Sequence, residues 1–479
     1  MFGSISKGYT EHNENRQVNI EMMKMDNLLE KYNVPTPRYT SYPPANYFHE
    51  GFTEEDLREH IVASNQLSPQ HLSFYIHVPF CPQLCYYCGC NSYAMEKKSV
   101  VEAYMNAVKK EIETVLPLLD KKRKIAQIHY GGGTPTAIPL HFLKEINELL
   151  LSTFQCIEQP EIAIECHPGH LTEKHWLELI EAGFNRCSIG IQDFDEEVLK
   201  TSNRRPSLLP PDVIFSLLRS HGVAINMDFI YGLPGQTVEG FAQTISRAAK
   251  LKPDRLVTFS YAHVPWINKN QLILEKAGLP TAENKSAMYS KTVEIMNQHG
   301  YVPIGLDHFV LPDDSLNMAV QNGILHRNFQ GYCTRATTGQ VYAFGVTAIS
   351  QLSAAYSQNI RNIPKYISAV NEGCIPVMRG YALNAEEQLA REVITTLMCN
   401  ERLNWEELAK HINTPVVEIK QRLAYDESKL KEMEEDGLIN YNQDEIKVTC
   451  EGVLFVRNVA AVFDPLMRNG NAKNFSKPI

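Results

Sequence analysis

From Leu72 to about Ile304 the chain alternates short apolar runs with longer stretches whose apolar positions recur at helical spacing. Leu72–His77, Ile125–His129, Glu161–Glu165, Arg186–Gly190, Ala224–Phe229, Arg255–Phe259 and Tyr301–Ile304 read as strands. Between them Val100–Leu118, Leu140–Phe154, Glu173–Ala182 and Val238–Leu251 read as amphipathic helices. Gly183, Gly222 and Gly300 fall where a helix end needs a left-handed residue. Repeated strand–helix alternation with short loops predicts parallel strands joined by right-handed crossovers. Six or so units predict an α/β fold, a full or partial (β/α) barrel whose chemistry gathers at the C-terminal ends of its strands.

Both flanks have another texture. Asn27–Asn33 suggests a short helix, ended by Val34-Pro35-Thr36-Pro37, and Arg38–Pro44 must be extended or turning because each proline restricts its predecessor. Beyond residue 381, Asn384 with Glu387 three positions later marks a capped helix start. Helical patterns then run to Leu430, followed by a turn at Asp436-Gly437 and a strand at Glu445–Thr449. Helices followed by a small hairpin predict a mainly helical, winged-helix-like C-terminal domain. Its charges are mixed, and no basic recognition helix stands out.

Composition narrows the function classes. The 479 residues exceed what one hydrophobic core usually supports, so a large domain with smaller parts is expected. With 44% hydrophobic and 21% charged residues the chain is an ordinary globular composition, and a net charge of −9 argues against general nucleic-acid binding. The first 25 residues show no signal-peptide pattern, and no run reaches the roughly 18–20 apolar residues of a membrane span. Four of the eleven cysteines crowd into Cys81–Cys90 while seven are scattered. That distribution predicts one metal centre in a reducing, cytoplasmic compartment and not a disulfide framework.

The crowded cysteines follow the first predicted strand. Cys81, Cys85 and Cys88 have the spacing C-x3-C-x2-C, with Cys90 two residues further. Thiolates select zinc, copper or iron–sulfur clusters. Three on a compact loop can hold three irons of a 4Fe–4S cube and leave the fourth iron open to a small molecule. A zinc site using Cys90 is the competing reading, although zinc ribbons usually spread two cysteine pairs over a longer segment. One βα unit later, Ile125–Tyr130 runs into Gly131-Gly132-Gly133-Thr134-Pro135-Thr136, where three glycines let backbone approach a ligand closely. A strand, a C-x3-C-x-aromatic-C loop, a long helix and a strand ending in glycines is the arrangement of radical S-adenosylmethionine enzymes.

Further segments narrow the likeness. They are Pro37-Arg38-Tyr39-Thr40-Ser41-Tyr42-Pro43, Ser188-Ile189-Gly190-Ile191-Gln192-Asp193, Asp228–Pro234, Tyr261–Pro265, Asp307-His308-Phe309, His326–Tyr332 and Gly345–Ser350. From about Lys31 to the C-terminus the chain resembles the oxygen-independent coproporphyrinogen III oxidase family. The resemblance implies three parts: an N-terminal extension (1–70) closing over the active site, a radical SAM barrel (71–380) and a C-terminal domain (381–479). It implies anaerobic decarboxylation of two propionates of coproporphyrinogen III to vinyl groups, giving protoporphyrinogen IX in heme biosynthesis by way of a 5′-deoxyadenosyl radical. The implied cofactors are a 4Fe–4S cluster on Cys81, Cys85 and Cys88 and two molecules of S-adenosylmethionine. Tyr75, Gly132, Glu165 and Ile349 match positions around the first molecule. Tyr87, Gly133, Thr134, Gln192, Arg204, Asp228 and Ala262 match positions around the second.

Cys90 matches a fourth cysteine that the family needs for activity without ligating the cluster, and related heme chaperones lack it. Since the substrate carries four carboxylates, basic residues should receive it. Arg38, Arg327 and Arg335 lie in or near the signatures, the first two being the candidates, with His308 and His326 as hydrogen-bond or proton groups. An electron donor such as flavodoxin or ferredoxin is the implied partner, with no nucleic acid and a monomeric chain. Three positions depart from the family pattern. Cys166-His167 replaces the usual acidic residue after Glu165, Tyr87 stands where phenylalanine is common, and Cys333 replaces a common threonine. A heme chaperone or another radical enzyme acting on porphyrin or heme is the alternative on this scaffold.

Overall fold

A computed structural model describes residues 27–266, 268–334, 340–423, 425–468 and 475. The chain divides into two compact units, one of residues 48–382 and one formed by residues up to 47 together with those from 383 onward.

The larger unit is built on one sheet of twelve strands. In chain order these are β1 (Leu72–Val78), β2 (Ile125–Gly132), β3 (Cys156–Cys166), β4 (Arg186–Gln192), β5 (Ala224–Tyr231) and β6 (Arg255–Ser260). They are followed by β7 (Val302–Ile304), β8 (His308–Val310), β9 (Val341–Phe344), β10 (Ile349–Gln351), β11 (Ala355–Asn359) and β12 (Val377–Ala382). Their spatial order is β12-β11-β10-β9-β1-β2-β3-β4-β5-β6-β8-β7. From β9 through β6 every neighbouring pair is parallel, and the two flanks are antiparallel. The sheet is an open, partial barrel. Its core strands read as near-continuous apolar runs because both faces are covered, as with Ile125, Ala126, Ile128 and Tyr130, all fully buried.

The crossover helices Lys98–Val115, His141–Thr153, Glu173–Glu181, Pro211–Ser220 and Val238–Leu251 supply the outer layer. Gly183, Gly222 and Gly300 have φ of 86°, 72° and 82°, the left-handed conformation that their positions require. The run at Tyr301–Ile304 is a strand, but it pairs antiparallel at the sheet edge and does not extend the parallel series. Periodicity identifies a strand without fixing its direction.

One carboxyl organises the side of β1 that faces β9. Glu111, inside helix Lys98–Val115, accepts from Gly345 N–H at 2.9 Å, from Asn359 Nδ2 at 2.7 Å and from the Tyr366 hydroxyl. Burial pushes it up to about 7 against these donors. Tyr104, two turns earlier on the same helix face, donates to His77 O at 2.7 Å and accepts from Val346 N–H at 3.1 Å. Together they tie the end of β1 to the turn that leads into β10.

The smaller unit holds helices Ala385–Asn400, Trp405–Ile412, Val416–Leu423 and Glu427–Glu435 with a three-stranded sheet of Arg402–Asn404, Glu445–Val448 and Ile439–Tyr441. The capping box at Asn384 and Glu387 forms, with Asn384 N–H on Glu387 at 2.9 Å and the reverse bond at 2.9 Å. Residues 27–47 belong to this unit. Tyr39 and Tyr42 donate to buried Asp464 at 2.8 and 3.0 Å, and Lys31 pairs with Asp436 at 2.5 Å. The stretch 1–70, expected as one extension, is therefore shared: helix Glu54–Ser64 is part of the larger unit.

Candidate functional site

The chemistry-bearing residues fall at the carboxyl ends of consecutive parallel strands. β1 leads through Pro79 into Phe80–Cys81, which pairs with Tyr93–Ala94 and closes the cysteine loop as a compact unit. The loop is laced to two other segments. Gln83 Nε2 donates to Asn203 Oδ1 at 2.7 Å, Asn203 Nδ2 to Leu84 O at 2.8 Å, and Tyr86 N–H to Ser202 O at 3.1 Å. Asn268 Nδ2 donates to Cys88 O at 2.8 Å, and fully buried Gln271 to Tyr87 O at 3.1 Å. Sequence reading missed these braces. They lie far along the chain from the cysteines, and amide side chains in loops carry no spacing signal.

The thiols sit in unequal surroundings. Burial raises Cys81, which also receives the Thr134 hydroxyl at 3.4 Å and is pressed by Cys88 and Cys85. Cys85 accepts from Arg204 Nη1 at 3.5 Å. The neighbouring Cys90 hydrogen-bonds Cys88 and holds it down to about 6, while Cys90, sharing that proton, is raised. Cys90 is on the accessible side of the loop.

The glycine turn is shaped by what stands behind it. A Cβ on Gly131 would lie 2.4 Å from Glu165 Oε1, one on Gly132 2.5 Å from the His77 ring, and one on Gly133 2.6 Å from the Pro79 backbone. Gly132, at φ 112°, also needs the freedom of glycine. Its N–H donates to Glu165 Oε2 at 3.1 Å, and His129 Nε2 stands 3.3 Å from Oε1. Burial raises the Glu165 carboxyl, but these donors outweigh it and the group is held below the usual carboxylate range. Its side chain remains 41% exposed, so the charged oxygens still face open space. Tyr75 stacks on His129 with ring centroids 5.9 Å apart and points its hydroxyl at His77 Nδ1, 3.1 Å away.

Two strands on, Asp228 has a different setting. Burial pushes it up to about 6, against one hydroxyl bond from Ser188 at 2.8 Å, with Glu165 adding repulsion. Gln192 ends β4 at φ 70°, an uncommon conformation for a residue with a side chain, and its Oε1 is buried without a hydrogen bond. Arg204 reaches Gly190 O with its second nitrogen. Ala262 follows β6, and Ile349 opens β10. Cys166 and His167 are buried: His167 Nδ1 accepts from Gly169 N–H at 3.1 Å, and burial lowers the ring to about 2, so it is a neutral imidazole.

The hairpin Leu325–Asn328 and Gly331–Thr334 carries Arg327 over the Tyr332 ring at 4.7 Å. His308 Nδ1 lies 2.6 Å from Asp307 Oδ1 and edge-on to Tyr332, and His326 is buried opposite Cys333. Arg38 belongs to the other compact unit. Arg335 lies outside the described residues.

The donor set fits an iron–sulfur cube. Among the described residues no three His, Cys, Asp or Glu side chains converge on a single ion. A cube asks for something else, thiolates for separate irons from one loop, and Cys81, Cys85 and Cys88 offer three of them, each sulfur already facing a hydrogen-bond donor. No helix among the described residues is long and apolar enough to cross a membrane.

Comparison with known proteins agrees with this geometry. Residues 75–248 match the Radical SAM superfamily, and residues 383–455 match the HemN C-terminal domain. Proteins named oxygen-independent coproporphyrinogen III oxidase are similar over nearly the whole chain. The Synechocystis protein is 37% identical, over 94% of this chain and 97% of its own length. The proteins of Helicobacter pylori and Escherichia coli are 39% and 38% identical, each over 94% of this chain and 98% of their own. The solved structure described as coproporphyrinogen III oxidase (HemN) from Escherichia coli, a radical SAM enzyme, superimposes with a TM-score of 0.82, 37% identity, and coverage of 89% of this chain and 97% of that one. Likeness of that extent, together with a cysteine loop and glycine turn at adjacent strand ends, shows that the chain belongs to the oxygen-independent coproporphyrinogen III oxidase family of the radical SAM superfamily.

Proposed function

We propose that this chain converts two propionate side chains of coproporphyrinogen III to vinyl groups without oxygen, giving protoporphyrinogen IX. The observation that carries this reading is the end-to-end likeness to proteins named for that activity. The cysteine loop, the glycine turn and two carboxylates on strand ends support it. Cys81, Cys85 and Cys88 would hold a 4Fe–4S cluster, and two molecules of S-adenosylmethionine would lie against the strand ends. When bound, the cluster supplies the electron that cleaves S-adenosylmethionine, and the 5′-deoxyadenosyl radical so released takes the hydrogen whose loss starts decarboxylation.

The chain's own residues bind and orient. Tyr75, Gly132, Glu165 and Ile349 are assigned to the first molecule, where Glu165 offers a charged acceptor for an amino or hydroxyl group. Tyr87, Gly133, Thr134, Gln192, Arg204, Asp228 and Ala262 are assigned to the second. Gln192 Oε1, buried and unbonded, suits a ligand donor. Arg327, and Arg38 on the strength of its signature segment, pair with substrate carboxylates. His308, with Nδ1 held by Asp307, is left with Nε2 to take or give a proton. Cys90 is assigned a role near the substrate or in proton delivery. A one-electron carrier such as flavodoxin or ferredoxin is the expected partner of a cytoplasmic, monomeric enzyme.

The test is an anaerobic incubation of reconstituted protein with S-adenosylmethionine, a reductant and coproporphyrinogen III, read by mass spectrometry after oxidation. Loss of two carboxyl groups with formation of 5′-deoxyadenosine is the expected result. An untouched porphyrinogen alongside cleaved S-adenosylmethionine would overturn the substrate assignment.

A further inference from the structure

Arg204 is held against the cysteine loop with more care than a ligand-binding arginine alone requires. Asn203, at φ 54°, turns the chain immediately before it. That turn is bonded to the loop from both sides, by Gln83 Nε2 on Asn203 Oδ1 at 2.7 Å and Asn203 Nδ2 on Leu84 O at 2.8 Å. Tyr86 N–H on Ser202 O, 3.1 Å, adds a third bond. The register of residues 202–204 against residues 83–86 is thereby fixed, and it delivers the guanidinium to the residue between Leu84 and Tyr86. Arg204 Nη1 donates to Cys85 Sγ at 3.5 Å, and its other nitrogen is anchored on Gly190 O. A Cβ at Gly190 would stand 2.9 Å from Arg204 Nη2, so a larger residue there would shift the guanidinium.

We propose that Arg204 is a positioning residue for the cluster, setting its reduction potential through the hydrogen bond and positive charge it places on the Cys85 sulfur. Taking up one electron makes a cluster more negative. A cation and an N–H donor on a ligand sulfur favour that reduced state, more strongly where water is scarce. The inference rests on the functional reading above and deepens it. An arginine assigned to S-adenosylmethionine also decides how readily the electron arrives. The Thr134 hydroxyl, 3.4 Å from Cys81 Sγ, is an uncharged donor of the same kind.

The experiment is a mediated redox titration of the reconstituted full-length chain without S-adenosylmethionine, followed by the electron paramagnetic resonance of the reduced cluster, with iron and sulfide content measured on each sample. At a fixed ambient potential, Arg204→Gln should lower the reduced-to-oxidised ratio about tenfold, equal to about 59 mV for a one-electron couple. Arg204→Lys, which keeps the charge but not the planar fork, should fall between the variant and the parent. A role in folding alone would reduce cluster content and leave the potential of the loaded fraction where it was. An unchanged or higher ratio in loaded Arg204→Gln overturns the proposal. Should that variant hold no cluster, Arg204→Lys decides, and a ratio equal to or above the parent's overturns it. A parent chain that takes up no 4Fe–4S cluster would instead overturn the functional reading itself.

Discussion

Glu165 and Asp228 are carboxyls toward the ends of strands β3 and β5, and the fold treats them in opposite ways. Glu165 receives a backbone N–H and an imidazole, and its charge is favoured. Asp228 is pushed up to about 6 by burial first, with repulsion from Glu165 added, and only one serine hydroxyl works against this. Burial opposes both charges; at Glu165 the donors outweigh it, and at Asp228 a single hydroxyl does not. Glu165 is an anion at neutral pH, while Asp228 changes state just below neutrality.

The severest test of that contrast is Glu165→Gln. Losing a charge-assisted acceptor costs roughly 1.5–3 kcal/mol. Formation of 5′-deoxyadenosine should therefore fall by roughly a hundredfold at full cluster content. Activity within threefold of the parent would remove Glu165 from the site.

Asp228→Asn should cost about tenfold at pH 7.5 and little below pH 6, a split read from pH–rate profiles of parent and variant. The same pair has a stability signature. The unfolded Asp228 carboxyl ionises near 3.8 and the folded one near 6, so the unfolded state gains as pH rises through that window, and the loss is complete above it. Asp228→Asn escapes this loss and should gain in thermal midpoint relative to the parent between pH 5 and 7.5. For Glu165 the sign reverses. Its lowered value contributes stability above the unfolded 4.5, and this fades as pH falls through the folded value. Glu165→Gln should therefore be the less stable variant at neutral pH. Parallel midpoint curves for the two variants would erase the comparison.

The gentlest probe is Ser188→Ala. Removing the 2.8 Å hydroxyl bond disfavours the Asp228 anion further. The midpoint of the pH–rate profile should move up by roughly half a unit to one unit, with less than about a twofold change at pH 8.5. A midpoint that stays in place would show that Asp228 is not the titrating group.

Much of this frame was legible in the chain. Six strand runs from Leu72 to Phe259 stand where the parallel strands form, because strands buried on both faces leave uninterrupted apolar runs bounded by glycines. The capping box at Asn384 and the left-handed glycines were equally plain, since each is a local rule. The helices Gln271–Ala277 and Ala282–Gln298 and the strands β8–β12 were not read. Those strands are short, and pairing partners decide them more than pattern does. Within the site, residue types and spacing identified the cysteines, the glycine turn and both carboxylates. The unequal charges of Glu165 and Asp228 could not be read, because His129, Gly132 and Ser188 act across strands, and neither could the grip of Asn203, Asn268 and Gln271 on the cysteine loop.

The placing of β1 between β2 and β9 bears on how the protein is made. Its partner on one side, residues 125–132, leaves the ribosome soon after it. The partner on the other, residues 341–344, emerges only after most of the larger unit has been synthesised. At about 5–20 residues per second that gap is on the order of tens of seconds. Through that interval the strand that carries the cysteine loop has one neighbour, and the turn after β9 that Glu111 and Tyr104 will grip does not exist. The cysteine loop thus follows a strand that gains its second neighbour only late in synthesis.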